Sequence, residues 1–259
     1  ICFGDPSEKS SWRKKNKILK EIEGTDKKLI KDGKKYFIMT EEEFITRKRR
    51  NVLESHFNII HRAGIGEFFA SRNTTNNRLD TNFTSMPSYL LKEIMEENDL
   101  VELDLCNSQM AIFTLICNLK TKDYEDFKNL SLNCGIYEHI EQELGLKDRD
   151  EAKEVCFTVL FSHYKNPSPH LKMFKNLFPS VMKWVNEYKK EHGSKNFSIM
   201  LQKKESEIFI DNVFKRIAEK GILVFSKHDA ILCRRSDEKT VRKIMEDYFK
   251  EINFQVMIR

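Results

Sequence analysis

The chain has 259 residues, 40% hydrophobic and 33% charged, enough to bury a substantial core in one large domain or two small ones. No apolar run nears the roughly 18 residues of a membrane span and no secretory apolar region appears, so the expectation is a cytoplasmic protein without a membrane partner. The net charge of +5 is uneven: residues 1–50 carry 15 Lys and Arg against 9 acids, which suggests a basic arm that meets a polyanion.

In chain order, residues 1–39 are lysine-rich, weakly periodic and expected to be partly mobile. The first residue is Ile rather than Met, which suggests a fragment with more chain upstream. Thr40 with Glu43 forms a capping box opening a helix that runs into the low 60s, where two glycines break it. "SRNTTNNRLDTNFTS" reads as a polar loop. A short helix comes next, with Ser85 as cap and Pro87 in its first turn, and then "DLVELDLC" alternates as a strand. Helical segments fill 108–119, 122–130 and 134–144. Asp148, with Glu151 three residues on, caps a strong helix. Residues 170–192 are helical, with a break at Pro179 and a stop at Gly193. "KKESEIFIDNVFKRIAEKG" reads as one long amphipathic helix ended by Gly221. Two strand-like runs, Ile222–Phe225 and Ala230–Cys233, then flank the polar knot Ser226-Lys227-His228-Asp229, the pattern of a hairpin without the usual Gly. Ser236 caps a final helix and "NFQVMIR" ends the chain as a strand. The class is α+β. Six scattered cysteines without a C-x-x-C pair fit reduced thiols better than disulfides or zinc.

Two acids stand where strands expose their ends, Asp104 and Asp229. Either alone is an ordinary strand-end carboxylate. Paired on adjacent strands, they can share two divalent ions about 3.5–4 Å apart, the arrangement for in-line phosphoryl transfer. Hard oxygen ligands suit magnesium, which keeps waters and substrate phosphates as its other ligands. On the helix after Asp148, Arg149, Lys153, Phe157 and Phe161 recur every four residues along one face. The bland reading is two solvated cations and two core phenylalanines. The other is a surface that holds a triphosphate at one end and stacks a base at the other.

Five segments in order resemble family A DNA polymerases. "NRLDTNFTSMP" is similar to their primer-template grip, "ELDLCNSQ" to the first palm motif, and "RDEAKEVCFTVLF" to the fingers helix. "LQKKESEIF" is similar to a Gln-containing segment before the last fingers-to-palm helix, and "SKHDAI" to the His-Asp palm turn. The resemblance implies a right-hand polymerase fold. It divides the chain into a basic arm (1–50), an abbreviated thumb and grip (51–100), palm (101–107), helical fingers (108–220) and palm again (221–259). It implies a DNA-directed DNA polymerase that extends a primer 3′-hydroxyl with dNTPs, using two Mg2+ held by Asp104 and Asp229 with the backbone of Leu105. Arg149 and Lys153 then neutralise the triphosphate, and Phe157 and Phe161 face the nucleotide and the templating position. Arg78 and Gln202 touch nucleic acid, and His228 the primer end. Implied partners are primer-template nucleic acid and nucleoside triphosphates, with an upstream helicase or primase domain or a replication partner as a further option.

The departures are specific. Asn107 is inserted before Ser108-Gln109, and Gln109 stands at the distance of the family's ribose-excluding Glu. Phe161 and Ser162 replace Tyr and Gly; Ala230 replaces the Glu after the palm Asp and is closer to the small residue of single-subunit phage and mitochondrial RNA polymerases, which carry a Tyr where Phe161 stands. An RNA polymerase or primase of the same fold is therefore the near alternative. A catalytically dead nucleic-acid-binding scaffold is the distant one, and a two-metal nuclease ranks lower.

Overall fold

The structure is a computed structural model that describes residues 22–32 and 35–259, and it divides into two compact units between Glu67 and Phe68. Cys2 and most of the lysine-rich start, expected to be partly mobile, lie outside the described residues. Residues 28–32 and 35–39 correct that expectation in part, because β1 (Lys28–Asp32) and β2 (Lys35–Met39) pair as an antiparallel hairpin, with Lys28 opposite Met39.

α1 (Glu41–Gly64) opens on the expected capping box. The Glu43 amide donates to Thr40 Oγ1 at 3.1 Å and the Thr40 amide donates to Glu43 Oε2 at 2.9 Å. The helix ends at Gly64, and Gly66 turns the chain with φ +75°. α1 runs through residue 50, the boundary expected between arm and thumb. Thr40→Ala should cost about 1 kcal/mol of α1 stability. Amide exchange along residues 42–50 should then speed up while exchange in the second unit stays unchanged.

The second unit begins where a polar loop was expected and forms a hairpin instead, β3 (Ala70–Arg72) against β4 (Leu79–Thr81). The asparagines explain it. Asn73 Oδ1 accepts from the Thr75 amide at 2.9 Å, Asn76 Oδ1 from the Arg78 amide at 3.1 Å, and Asn77 takes a left-handed φ of +61°. In α2 (Ser88–Glu97), Pro87 and not Ser85 stands at the cap, without a side-chain bond. β5 (Leu100–Asp104) then enters a three-stranded antiparallel sheet of order β5-β7-β6.

Between β5 and β6 the chain is helical, beginning with α3 (Ser108–Ile116), α4 (Lys122–Leu132), α5 (Ile136–Leu144) and α6 (Arg149–Phe161). α7 (Pro169–Leu177), α8 (Pro179–His192) and α9 (Ser194–Ser206) continue it. Their core is a chain of ring contacts, with Phe113 against Phe127 and Phe197, and Phe127 against Phe174 and Phe178. The expected single helix after residue 203 is interrupted. α9 widens into a π segment, Glu207–Phe214, before α10 (Lys215–Glu219). β6 (Val224–Lys227) and β7 (Ala230–Arg234) form the expected hairpin, with His228 at φ +59° doing what a Gly usually does. Ser236 falls inside a short 3-10 turn and does not cap α11 (Glu238–Glu251).

The last residues form no strand, only a bridge from Ile258 to Leu105. They still hold the end of β5: Arg259 N donates to Asp104 O at 2.9 Å and Asp104 N to Arg259 O at 3.4 Å. The expectation of all-reduced thiols also fails, because Cys106 and Cys134 are joined in a disulfide; Cys117, Cys156 and Cys233 are buried thiols. Residues 28 apart in sequence meet because α4 returns the chain to the end of β5. Among the described residues no helix is long and apolar enough to cross a membrane.

Candidate active site

Sheet register brings the two acids together. Asp104 pairs with Ala230, the residue after Asp229, so the end of β5 and the β6–β7 turn share one edge. Both line a cavity of about 330 Å³ with Leu105, Gln109, Arg78 and His228. Arg149 and Phe157 of α6 complete the opposite wall. Eight sequence-selected residues thus meet in one place.

Asp104 is the more perturbed of the two acids. Burial, then Asp229, then Glu102 push its carboxyl up to about 7, against the opposing Leu105 amide and Arg259. Its Oδ1 is buried without a hydrogen-bond partner. Asp229 is better served, since the Ser108 hydroxyl donates to its Oδ2. Asn107, also in the wall, sits at φ +53° with both side-chain polar atoms buried and unpartnered. Gln109 Oε1 and His228 Nδ1 are unpartnered too. Buried polar groups are normally satisfied by protein, water or a ligand, and these five atoms meet in one cavity.

The residues present fit a hard cation. Asp104 offers an oxygen with no protein partner, Asp229 a second carboxylate, and Leu105 lies in the same wall. Among the described residues no three His, Cys, Asp or Glu side chains group around one point. Magnesium held here would complete its shell with water and phosphate oxygens.

α6 is fixed at both ends. Asp148 accepts from the Asp150 and Glu151 amides, each at 3.0 Å. The buried Lys189 ammonium donates to Val159 O at 2.6 Å and Ser162 O at 2.8 Å. Arg149 is aimed by Glu138, at 2.8 Å, and stacks over the Tyr137 ring at 4.8 Å. Burial raises the Glu138 carboxyl, but the Arg149 bond prevails and holds it below its ordinary value. Phe157 and Phe161 are 45% and 47% exposed with ring centroids 6.0 Å apart, so these rings face solvent and not the core.

Three selected residues stand outside the cavity wall. Lys153 pairs with Asp150 at 2.8 Å on the helix surface, and Phe161 lies one turn beyond Phe157. Gln202 accepts from Asn76 Nδ2 at 3.1 Å, which ties α9 to the β3–β4 turn. The sequence reading missed Glu205, Tyr137, Asn107, Ser108 and Arg259. Glu205 is 1% exposed and grips Arg78 through two bonds, Nε to Oε1 at 2.7 Å and Nη2 to Oε2 at 3.0 Å. It also accepts from the Gln109 side-chain amide. Burial raises its carboxyl to about 7 in spite of Arg78. The only sequence signal was its place one turn after Gln202 on the same helix. His228 is held below its ordinary pKa by burial and Arg78, so its imidazole is neutral near pH 7.

The raised carboxyls make stability fall with pH. An unfolded Asp or Glu releases its proton near pH 4, whereas the folded Asp104 and Glu205 keep theirs to about 7. The native state thus binds more protons over that window, and stability drops as pH rises from 4 to 7 and stays lost above it. In metal-free buffer the Tm should decline across this range beyond the decline of Asp104→Asn, which should be steadier by roughly 2–4 °C at pH 8. Parallel curves for the two proteins would show that Asp104 titrates normally.

Compared with known proteins, the chain matches no protein-family model and no curated protein.

Proposed function

We propose that the protein is a template-directed nucleotidyltransferase of right-hand polymerase type, extending a primer 3′-hydroxyl with dNTPs. One observation carries the reading. Five unpartnered buried polar atoms, on Asp104, Asn107, Gln109 and His228, converge on a cavity whose other wall holds an aimed Arg and an exposed aromatic ring.

Asp104 and Asp229 would hold two magnesium ions, and when bound these acidify the primer hydroxyl and neutralise charge on the leaving pyrophosphate. Arg149, pre-aimed by Glu138 and Tyr137, offers a planar fork to phosphate oxygens. Phe157 presents a ring face on which the incoming base stacks, a contact every base can make. Neutral His228, with Nδ1 unsatisfied, can hydrogen-bond the primer end. Arg78 is held toward the cavity by Glu205 and meets backbone or sugar, as expected where base pairing itself reads sequence.

The second reading, an RNA-synthesising enzyme, is favoured by one detail. Gln109, at the place of the ribose-excluding Glu, has its amide spent on Glu205 and leaves only an unpartnered carbonyl oxygen near the cavity. A primed template with Mg2+ and either dNTPs or rNTPs separates the two. Extension with dNTPs is the expected result; preference for rNTPs transfers the assignment to RNA synthesis, and no extension with either removes the enzyme reading.

A further inference from the structure

The cations around the cavity are unequally committed. Arg78 is tied to Glu205 by two bonds and Arg149 to Glu138 by one. Lys153, the second cation expected for the triphosphate, lies outside the wall and pairs with Asp150 at 2.8 Å. Arg259 lies in the wall, makes no ion pair among the described residues, and is open to solvent. Its charge is felt by both Asp104 and Glu138, the partner of Arg149, and Arg149 lines the same cavity. Its backbone exchanges two hydrogen bonds with Asp104, so its Cα is registered to the acid itself.

We infer that Arg259 is a binding residue for the polyphosphate of the incoming nucleotide, sharing with Arg149 the role that the resemblance implied for Lys153. The inference rests on the nucleotidyltransferase reading. An exposed guanidinium without a carboxylate partner can turn to an anion that enters beside Asp104 and Asp229, with no ion pair to break first. Pyrophosphate oxygens match its fork geometry, and the exposed side chain can swing to meet them. Asp104 alone does not account for it, because no Arg259 nitrogen lies within ion-pair distance of that carboxylate.

The test is direct binding of inorganic pyrophosphate to the full chain by calorimetry, with and without Mg2+, beside primer-extension kinetics. Arg259→Gln should weaken pyrophosphate binding about tenfold or more and raise the KM for the nucleotide by a similar factor. Arg259→Lys should recover part of the loss, and Lys153→Gln should change binding less than about twofold. Circular dichroism confirms that each variant is folded. Unchanged pyrophosphate affinity in Arg259→Gln, an equal loss in Lys153→Gln, or no pyrophosphate binding by the wild type overturns the inference. Arg259-dependent binding without any primer extension would keep the anion site and remove the polymerase reading. Extension with no Arg259 dependence would do the reverse.

Discussion

Asp229→Asn is expected to abolish primer extension, lowering kcat by roughly three orders of magnitude or more, while binding of primer-template survives. Two-metal clamping contributes several kcal/mol to phosphoryl-transfer transition states, and each 1.36 kcal/mol is about tenfold in rate. The amide keeps the size of the carboxylate and can still accept from the Ser108 hydroxyl, so the β6–β7 turn has no reason to move. What is lost is one of two negative charges at the shared end of β5 and the turn. Loss of that charge also removes the second largest cause of the raised Asp104 carboxyl, whose pKa should drop toward the ordinary range. The variant should therefore be at least as stable as the parent above pH 7. Activity equal to wild type would place the chemistry elsewhere. Loss of both activity and nucleic-acid binding would make Asp229 a structural residue.

The elements that carry this prediction were legible because their signals are local. "LVELD" and "AILCR" announce strands by alternation and β-branched content, and Asp148 announces a helix start by one side chain meeting two amides. The step from two strand-end acids to one shared site needed only that the strands be neighbours, and the β5-β7-β6 order makes them so. What was hidden depends on contacts across the chain. The β3–β4 hairpin has three-residue strands, too short for an alternation pattern, and its turn chemistry lies in asparagines that read equally well as a loop. Arg259 gains meaning only from bonds to a strand 155 positions earlier. The Cys106–Cys134 pairing depends on where α4 brings the chain back. Lys153 shows what spacing leaves open: it puts residues on one face, but does not tell which acid a cation meets, here Asp150 three positions earlier on the helix surface.

Glu205 is the sharpest case of a residue concealed by its surroundings, and its removal should produce a large stability loss. In "QKKESE" it looks like one more solvated acid, yet its helix turns it inward to 1% exposure. There it accepts two bonds from Arg78, 127 positions away, and one from Gln109. Above about pH 7, where Glu205 is ionised, removing it leaves the largely buried Arg78 without its partner, at a cost of about 3–5 kcal/mol. Glu205→Ala should accordingly lower the Tm by on the order of 10 °C. Glu205→Gln keeps an acceptor for Arg78 and the volume of the side chain, so it should cost much less. The double variant Glu205→Leu with Arg78→Met removes both partners and should regain most of the stability; on the proposed function it should also lose affinity for primer-template. That split is the informative result: stability returning while template affinity does not would separate what the pair does for the fold from what Arg78 does at the site. If Glu205→Ala melts within about a degree of the parent, the pair is not closed in solution, and Arg78 must be aimed at the cavity by some other contact.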